Sequence, residues 1–326
     1  MTLIERSKLG VLLCATVLAA GCGGSGDDSS PLNEELIAFS SKPMGNENDV
    51  EIYTMRPDGS NVTQLTHNGA DIDDSRPLWS PDGRWIAFMS TVRLPRGPRH
   101  ADIYVMRRDG SEQTRLSENE LAELLTGWTN DGRIVFWRCH GDSVADCELR
   151  VVDRDGSDEH VVYESEDILL SSVGPRGDNQ VRATSLDPAA KSLVDTHTFA
   201  IDVESGESLP VADEGLPSPD GRHLLTESDR DKNGPCLFHD CVGYAPELYA
   251  DNIRLTHTTG YESEPAWSPG GERIVFARIA NDDGDDYELW VMNANGTCET
   301  QLTDDRRWDV SPDWYGPAAS DHPLSC

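Results

Sequence analysis

The sequence is poor in basic residues: 27 Lys and Arg residues are outnumbered by 59 Asp and Glu residues, and the formal net charge is −32. A chain with this charge repels the phosphate backbone of nucleic acids and the surface of anionic lipids. Nucleic acid is therefore excluded as an expected partner. Cations, basic partners and simple solubility remain as the uses that such a charge favours.

Several signatures of enzymes and membrane proteins are also missing. After residue 21 there is no Gly-x-Ser-x-Gly motif, no phosphate-binding glycine loop and no paired Cys-x-x-Cys metal motif. No 3.6-residue apolar periodicity runs through this part of the chain, so helices are not expected there. The apolar run at residues 11–20 is too short to cross a membrane as a helix.

What the sequence has instead is a repeat with a period of 43 to 50 residues. Periods of this size are typical of solenoids and propellers. The repeat is clearest in an apolar segment with the form of a buried strand. This segment recurs at Ile37, Ile86, Ile134, Val181, Leu224 and Ile274.

Each copy of the repeat contains four segments with the character of strands. The best copy begins at Pro77-Leu78-Trp79, turns through Ser-Pro-Asp-Gly and continues into the apolar run at residues 85–89. An acid opens the third segment, and an Asp-Gly or Asn-Gly turn, which supplies the positive φ of a hairpin, precedes a short fourth segment. This anatomy predicts four-stranded antiparallel blades. The fourth copy, at about residues 181–210, has lost its Trp and its Asp-Gly turn and is predicted to be a degenerate blade.

The motifs WSPDG, IAF, DIYVM, DGS and RLT together resemble the PD40 repeat of TolB-type propellers, over about residues 32–316. The resemblance implies a β-propeller and covers only that part of TolB, not its amino-terminal α/β domain. The first copy lacks a Pro-x-Trp strand, and a spare one stands at residues 311–315. We therefore expect an all-β, six-bladed β-propeller of four-stranded antiparallel blades, closed by the C-terminal strand completing blade one.

The beginning of the chain indicates export. Residues 19–22, Ala-Ala-Gly-Cys, resemble the lipobox of bacterial lipoproteins, which implies cleavage before Cys22 and acylation of that residue. The Gly- and Ser-rich run that follows is typical of a flexible tether, and several acyl chains give a stable anchor. An ordinary secretory signal, with Cys22 as a plain thiol, is the alternative.

These features predict four segments: a signal peptide at 1–21, an acylated tether at 22–33, the propeller at 34–316 and a tail at 317–326. The expected location follows from them. The protein is secreted across the inner membrane and held by its lipid in the cell envelope, at the outer membrane facing the periplasm. We expect a monomer that contacts the membrane through its lipid anchor only.

Six cysteines remain when Cys22 is set aside, and an oxidising compartment favours disulfides. Sequence alone allows 15 pairings of six cysteines. The blade topology places the loops between second and third strands, and the returns between blades, on one face, here called the top face; the other turns lie on the bottom face. Pairs that stay on one face are Cys139–Cys147, Cys236–Cys241 and Cys298–Cys326. Free buried thiols are the alternative.

The returns between blades are acidic, and every return contributes at least two carboxylates to the top face. Closely spaced carboxylates repel one another, and a bound cation or a basic partner relieves that repulsion. A solvated acidic surface is the alternative interpretation. The residues of the predicted binding face are Asp71, Asp73, Asp74, Glu118, Glu120, Glu123, Glu262, Glu264, Asp304 and Asp305.

One top loop has the spacing of a calcium-binding loop. Asp229, Asp231, Asn233 and Asp240 match the ligand positions of an EF-hand-type loop, with Asp in the place of the final Glu. A plain turn is the alternative, because Pro235 and a nearby disulfide constrain the second half. Calcium is the only cofactor that the sequence suggests.

The sequence favours a non-catalytic scaffold that binds a protein or cell-envelope component through its acidic top face. The alternative is a metal-dependent lyase or hydrolase acting at the channel mouth. His67 and His257 stand on top returns, and propeller lyases of acidic sugars use a histidine-bound metal there. Convergence of these two histidines with other polar groups would favour the enzyme.

Overall fold

A computed structural model of the chain shows almost only β-strands. It describes residues 32–43, 49–69, 71–92, 100–117, 121–140, 146–165, 168–174, 179–186, 196–211, 215–228, 230, 246–258, 260–279 and 286–326. Within these residues there are 24 strands and one short 3₁₀ helix, Ala318–Ser320. No helix of the described part is long and apolar enough to cross a membrane.

The strands form six antiparallel sheets of four strands each, and each sheet is one blade. Blade one consists of β24 (Arg307–Tyr315), β1 (Leu36–Pro43), β2 (Glu51–Met55) and β3 (Thr63–Gln64). Blade two consists of β4 (Ile72–Trp79), β5 (Trp85–Val92), β6 (His100–Arg107) and β7 (Thr114–Arg115). Blade three consists of β8 (Ala122–Trp128), β9 (Ile134–Cys139), β10 (Cys147–Val152) and β11 (His160–Ser165).

The second half of the chain repeats this plan. Blade four consists of β12 (Ile168–Val173), β13 (Gln180–Leu186), β14 (Thr196–Asp202) and β15 (Ser208–Pro210). Blade five consists of β16 (Leu216–Pro217), β17 (Leu224–Ser228), β18 (Glu247–Ala250) and β19 (Ile253–Arg254). Blade six consists of β20 (Glu262–Trp267), β21 (Arg273–Ile279), β22 (Tyr287–Asn293) and β23 (Thr300–Gln301). Blade four keeps all four strands despite its degraded repeat.

The ring closes as the sequence predicts, because β24 pairs with β1 and completes blade one. The two strands are antiparallel, with Ile37 opposite Trp314 and Leu36 opposite Tyr315. The closing strand also contacts blade two, since the backbone N–H of Trp79 donates to Oδ2 of Asp313 at 2.7 Å. The prediction of a six-bladed propeller closed by its C-terminal strand is confirmed.

The core lies between the faces of neighbouring blades rather than inside any one sheet. Strand β9 shows this best, because consecutive side chains of a strand point to opposite faces. Ile134 and Phe136 pack in the layer shared with blade two, and Val135 and Trp137 pack in the layer shared with blade four. All four are at most 1% exposed, which explains why the second strand carries a continuous apolar run in blades one, two, three and six.

The Asp-Gly turns are fixed by both conformation and space. Gly59 has a φ of 79°, and Oδ1 of Asp58 accepts the N–H of Ser60 at 3.0 Å. A Cβ on Gly59 would lie 2.6 Å from the carbonyl oxygen of Leu302 in the neighbouring blade. Only glycine therefore suits a position that needs positive φ and also touches the next blade.

The innermost strands carry a β-bulge just before their proline, which the sequence did not predict. Arg76, Glu264 and Ser311 have φ values of 54°, 51° and 53°, and pairing is interrupted at each of these points. The bulge turns a backbone N–H towards the preceding blade. The N–H of Glu264 donates to Glu227 Oε1 at 2.9 Å, and that of Ser311 donates to Glu264 Oε2 at 2.6 Å.

Because β24 closes the ring, we expect a chain that ends at Val310 to lose cooperative folding. This change removes the part of β24 that buries Trp314 and holds Asp313 against blade two. Blade one then has an open edge, and the apolar layer it shares with blade six is exposed. Thermal unfolding followed by circular dichroism measures the effect.

A chain ending at Gly316 is the control, because it keeps β24 and lacks only the tail. The tail places Asp321 against Arg273, with Oδ1 of Asp321 2.7 Å from Nε of Arg273. We expect a lower melting temperature for this chain but a single cooperative transition. An unchanged transition in the chain ending at Val310 would contradict the closure argument.

Candidate functional site

Four of the blade junctions on the top face share one arrangement of polar side chains. An acid opens the third strand of a blade, a hydroxyl follows its fourth strand, and a second acid lies at the start of the next blade. We call each set a junction triad. The triads are Glu51, Thr66 and Asp74; Asp102, Ser117 and Glu123; Glu247, Thr256 and Glu262; and Glu288, Thr303 and Asp309.

The hydroxyl holds each triad together by accepting one hydrogen bond and donating another. In the triad between blades six and one, the N–H of Leu289 donates to Oγ1 of Thr303 at 2.9 Å. The same hydroxyl donates to Oε2 of Glu288 at 2.5 Å. The Leu-Thr and Leu-Ser motifs are explained by this geometry, since the leucine packs inward and the next residue reaches the third strand.

The triads are buried, although their acids belong to returns that look solvent-facing in the sequence. Asp74, Glu123, Glu262 and Asp309 are between 0% and 3% exposed. Three of these, all except Asp309, belong to the predicted binding face. The structure therefore places them inside the junctions between blades.

Arginines face the carboxylates in two of the four triads. Arg138 lies opposite Glu123 in the strand register, and its Nε is 2.8 Å from Oε1 of that residue. Arg278 lies opposite Glu262 with the same distance. The first acids of these triads are also paired, Asp102 with Arg115 and Glu247 with Arg254.

The two triads on either side of blade one lack these arginines. Serines take the place opposite the second acid: Ser90 faces Asp74, and Ser41 faces Asp309. Gln64 and Gln301 stand in the fourth-strand positions that Arg115 and Arg254 occupy in the other two.

In these two triads, burial has the largest effect on the protonation of the carboxylates. Burial raises the pKa of Asp74 to about 6 and the pKa of Asp309 to about 6. It raises the pKa of Glu288 to about 7, and the neighbouring Asp309 adds to that effect. Burial also raises the pKa of Glu262, but there Arg278 acts in the opposite direction.

A further side chain, two residues after the hydroxyl, completes the junctions. Between blades one and two, the N–H of Asn68 donates to Oε1 of Glu51 at 2.5 Å, and its amide donates to Asp74. Between blades five and six, Oγ1 of Thr258 donates to Oε1 of Glu262 at 2.5 Å. Between blades six and one, this position holds Asp305, which as a carboxylate only accepts hydrogen bonds.

The six–one junction therefore gathers three carboxylates. Oxygen atoms of Glu288, Asp305 and Asp309 all lie within 4.8 Å of one another. Among the described residues this is the one group of three or more acidic, His or Cys side chains placed to share a metal ion. Neither His67 nor His257 belongs to it, and both are exposed.

Three aromatic residues lie beside this junction. The rings of Tyr287 and Trp308 stack with centroids 5.5 Å apart, and Tyr261 meets Tyr287 edge-on at 6.3 Å. Nζ of Lys42 lies 3.3 Å from the centroid of the Trp308 ring, and Trp308 is 37% exposed. Sequence analysis missed this set. Its signal is an aromatic residue directly before the triad acid, in Tyr261-Glu262, Tyr287-Glu288 and Trp308-Asp309.

The rest of the predicted binding face is divided by the structure. Asp71, Asp304 and Asp305 are exposed, and Asp73 is buried. Glu264 is half-buried and accepts from Ser311 across the blade boundary. Glu118 and Glu120 lie outside the described residues.

Two of the cysteine pairs are joined in the structure. Cys139 and Cys147 lie opposite each other on β9 and β10 and form a disulfide at the top of blade three. Cys298 forms a disulfide with Cys326 and so holds the tail at the bottom turn of blade six. Other predicted residues lie outside the described part of the chain: Cys22, Cys236, Cys241, Asp229, Asp231, Asn233 and Asp240.

The bottom face has a cavity of about 190 Å³ at the ends of the inner strands. Trp79, Trp128 and Trp314 line it, and Nε1 of Trp128 donates to the carbonyl of Leu78 at 2.9 Å. The tryptophans at the ends of the inner strands of blades one, two and three thus meet at this cavity. Its small size and tryptophan lining make it part of the packed core rather than a ligand site.

Comparisons with known proteins agree with this fold. No family model matches the sequence. A 101-residue segment is 34% identical to the Tol-Pal system protein TolB of Anaeromyxobacter dehalogenans (strain 2CP-C), covering 29% of this chain and 20% of that protein. A 214-residue segment is 28% identical to the uncharacterized peptidase YuxL of Bacillus subtilis (strain 168), covering 61% of this chain and 28% of the peptidase.

Among solved structures, the fold is similar to that of TolB from Acinetobacter baumannii. The TM-score is 0.64 and the identity is 16%, over 86% of this chain and 67% of the other. The aligned segments span only 20% and 28% of the length of these two curated relatives. The chain is a six-bladed β-propeller whose fold is similar to that of TolB.

Ser90, rather than an arginine, lies opposite Asp74. We therefore expect the substitution Asp74→Asn to stabilise the protein in a pH-dependent way. The folded state binds a proton at Asp74 more tightly than the unfolded state, since its pKa is about 6 instead of 3.8. Protonation of Asp74 therefore stabilises the fold fully below about pH 4, and this contribution is lost as the pH rises through 6. Asparagine imitates the protonated acid. We expect it to raise the free energy of unfolding by about 1–3 kcal/mol at pH 8, with little change at pH 4.

Glu123→Gln is the matched control, because Arg138 and Glu123 form a pair. This variant leaves Arg138 with Glu159 as a partner but without Glu123. It should lose about 1–3 kcal/mol at pH 8. Urea denaturation at pH 4 and pH 8 gives both values. Equal losses in the two variants at pH 8 would show that the junctions do not differ in their charge balance.

Proposed function

We propose that the protein is a non-catalytic propeller scaffold of the bacterial cell envelope that binds a basic segment of a protein or envelope component on its top face. The observation that carries this proposal is the combination of exposed aromatic and acidic groups above blades six and one. Trp308 is exposed there, with Asp304 and Asp305 close to it in the chain. Aromatic and charged side chains of this kind supply the anchors and the steering field of binding surfaces.

The charge of the whole chain supports the same kind of partner. A net charge of −32 attracts basic segments over distances comparable with the Debye length and raises their association rate. Much of the acidity of the top face is already used inside the junction triads. The carboxylates open to a partner on this face are therefore the exposed ones, such as Asp71 and Asp304.

The location in the envelope rests on the amino-terminal sequence. We propose that residues 1–21 direct export, that Cys22 is acylated and that residues 22–33 tether the propeller to the outer membrane on its periplasmic side. A relative named as a Tol-Pal system protein is in keeping with an envelope role. The short aligned segment leaves the partner of this chain to be found by experiment.

A metal-dependent lyase or hydrolase is the second candidate, because a peptidase is among the relatives. The described residues give it little support. The group of side chains placed to share a metal ion contains carboxylates only, and His67 and His257 lie outside it. The propeller is thus better suited to binding than to histidine-assisted metal catalysis.

A capture experiment tests the proposed face. The acylated protein is immobilised and incubated with detergent-solubilised envelope of the cells that produce it, and retained proteins are quantified by mass spectrometry. The top-face variant combines Asp71→Asn, Asp304→Asn and Trp308→Ala. It should retain the specific partner about tenfold less well, because one aromatic anchor and two charges are lost. Retention should also fall with increasing salt.

The control variant makes equivalent changes on the bottom face: Glu112→Gln, Glu207→Gln and Leu209→Ala. All three residues are exposed in turns or strands away from the top face, and Leu209 is 66% exposed. This variant should capture the partner as the unmodified protein does. Equal capture by both variants, or a loss confined to the bottom-face variant, would refute the proposed face.

A further inference from the structure

We propose that the junction between blades six and one is a calcium site formed by the carboxylates of Glu288, Asp305 and Asp309. The site is separate from the proposed function, since it needs no partner protein. It follows from a comparison of the four junction triads with one another. In each triad, some group has to balance the negative charge of two buried carboxylates.

In two of the junctions, the protein supplies the balancing positive charge. Arg138 and Arg278 pair with the second acids, Glu123 and Glu262, at 2.7–2.8 Å. Arg115 and Arg254 pair with the first acids. A buried carboxylate is costly unless it is paired or hydrogen-bonded, so these arginines are what the repeat uses to keep its acids in place.

The junction between blades one and two has no such arginine but has a donor instead. Asn68 uses both its backbone N–H and its side-chain amide, and these reach Glu51 and Asp74 respectively. Two hydrogen bonds from one residue thus satisfy part of each carboxylate. In this junction donors take the place of a cation, and only Oδ1 of Asp74 is left without a hydrogen bond of normal geometry, whereas both oxygens of Asp309 are.

The junction between blades six and one has lost both solutions. Ser41 and Gln301 stand where the arginines are found, and Asp305 stands where Asn68 donates. Gln301 is turned away, since its amide donates to the carbonyl of Thr303 at 2.7 Å. A third acceptor has therefore replaced the donor, and three carboxylates meet.

Asp309 is short of hydrogen-bond donors. It is 0% exposed, and neither of its carboxylate oxygens makes a hydrogen bond of normal geometry. The nearby hydroxyl of Thr303 donates its proton to Glu288, while that of Ser41 accepts from Nε of Arg307 at 2.6 Å and keeps its own proton for Asp309. Oδ1 of Asp286, the residue two before Glu288, is likewise buried without a partner. Buried polar groups in this state are rare, and a bound ion is one of the few ways to satisfy them.

The neighbouring cations are engaged elsewhere. The guanidinium of Arg307 donates to Ser41 and to the hydroxyl of Tyr53, 2.9 Å away. Arg278 lies opposite Glu288 in the strand register but is bonded to Glu262 and Glu299. These guanidiniums temper the negative field of the cluster without bonding to its three carboxylates.

The ligand type favours calcium, and the spacing of the carboxylates admits it. Ca²⁺ takes oxygen ligands at about 2.4 Å, so two oxygens on one ion lie at most about 4.8 Å apart. The three carboxylates fall within this limit, since their oxygens are within 4.8 Å of one another. Mg²⁺ demands a compact octahedron and gives up its waters reluctantly, so protein carboxylates alone hold it less readily. Zn²⁺ prefers nitrogen and sulfur ligands, which the group lacks.

The position of the site gives it a structural consequence. Glu288 belongs to blade six, and Asp309 belongs to β24 in blade one. An ion shared by these residues crosses the seam at which the ring closes. Calcium bound only to the folded protein must then raise its melting temperature.

Isothermal titration calorimetry of the mature chain with CaCl₂ tests the proposal. We expect saturable binding that is weakened about tenfold or more by Asp305→Asn, an exposed residue whose substitution leaves the core intact. The matched control is Asp304→Asn, which removes the same charge from the adjacent exposed residue and should bind calcium as the unmodified chain does. Calcium should also raise the melting temperature more than MgCl₂ or NaCl at equal ionic strength.

Two further variants keep the test decisive. Asp309→Asn should abolish the calcium-dependent rise in melting temperature. Asp231→Ala, in the EF-hand-like loop, should leave the binding unchanged. The proposal is overturned if the chain does not bind calcium, if Asp304→Asn and Asp305→Asn weaken it equally, or if Asp231→Ala alone removes it.

Discussion

The pairing of β24 with β1 is the constraint on which the rest of the molecule depends. Each blade buries its apolar residues against two neighbours, and a ring is the only arrangement in which every blade has both. Blade one is assembled from the two ends of the described chain, with Ile37 opposite Trp314. An open ring would leave one sheet face uncovered and one strand edge unpaired, so closure stabilises all six blades at once.

The same strand carries polar contacts to both sides. Asp313 accepts from the backbone of Trp79 in blade two, and Ser311 donates to Glu264 in blade six. Its bulge makes the second contact possible, because a φ of 53° turns the N–H of Ser311 out of the ladder. Local strain at the bulge is thus offset by a hydrogen bond between blades.

Much of the fold could be predicted because its signals are local. Asp-Gly turns, continuous apolar runs and a period near 48 residues can be read from short stretches of sequence, and the unmatched strand at 311–315 indicates closure. The bulges could not be predicted, because the residue before a proline is usually extended. The left-handed conformation of Arg76 and Glu264 is imposed by contacts with the preceding blade, which no local pattern records.

The acidic top face was harder to interpret for the same reason. In the sequence, Asp74 and Glu123 look alike, since each follows a short strand and a polar return. Their difference lies in the residue opposite them, Ser90 in one case and Arg138 in the other. That residue is about 15 positions away and becomes a neighbour only when the strands are in register. The number of carboxylates in the sequence indicates the acidic top face. Only the strand pairing shows which of these carboxylates already have a hydrogen bond or an ion pair within the protein.

Repetition makes these differences informative. Six copies of one unit place chemically similar residues at equivalent points, so each junction serves as a control for the others. Where an arginine or Asn68 balances the acids, the triad is explained as part of the fold. Where Ser41, Gln301 and Asp305 have replaced those residues, the fold alone gives Asp309 only nearby hydroxyls and no hydrogen bond of normal geometry. The junction that departs from its repeat, rather than the most acidic stretch of sequence, is therefore where a ligand is to be sought, and it lies at the seam where the ring closes.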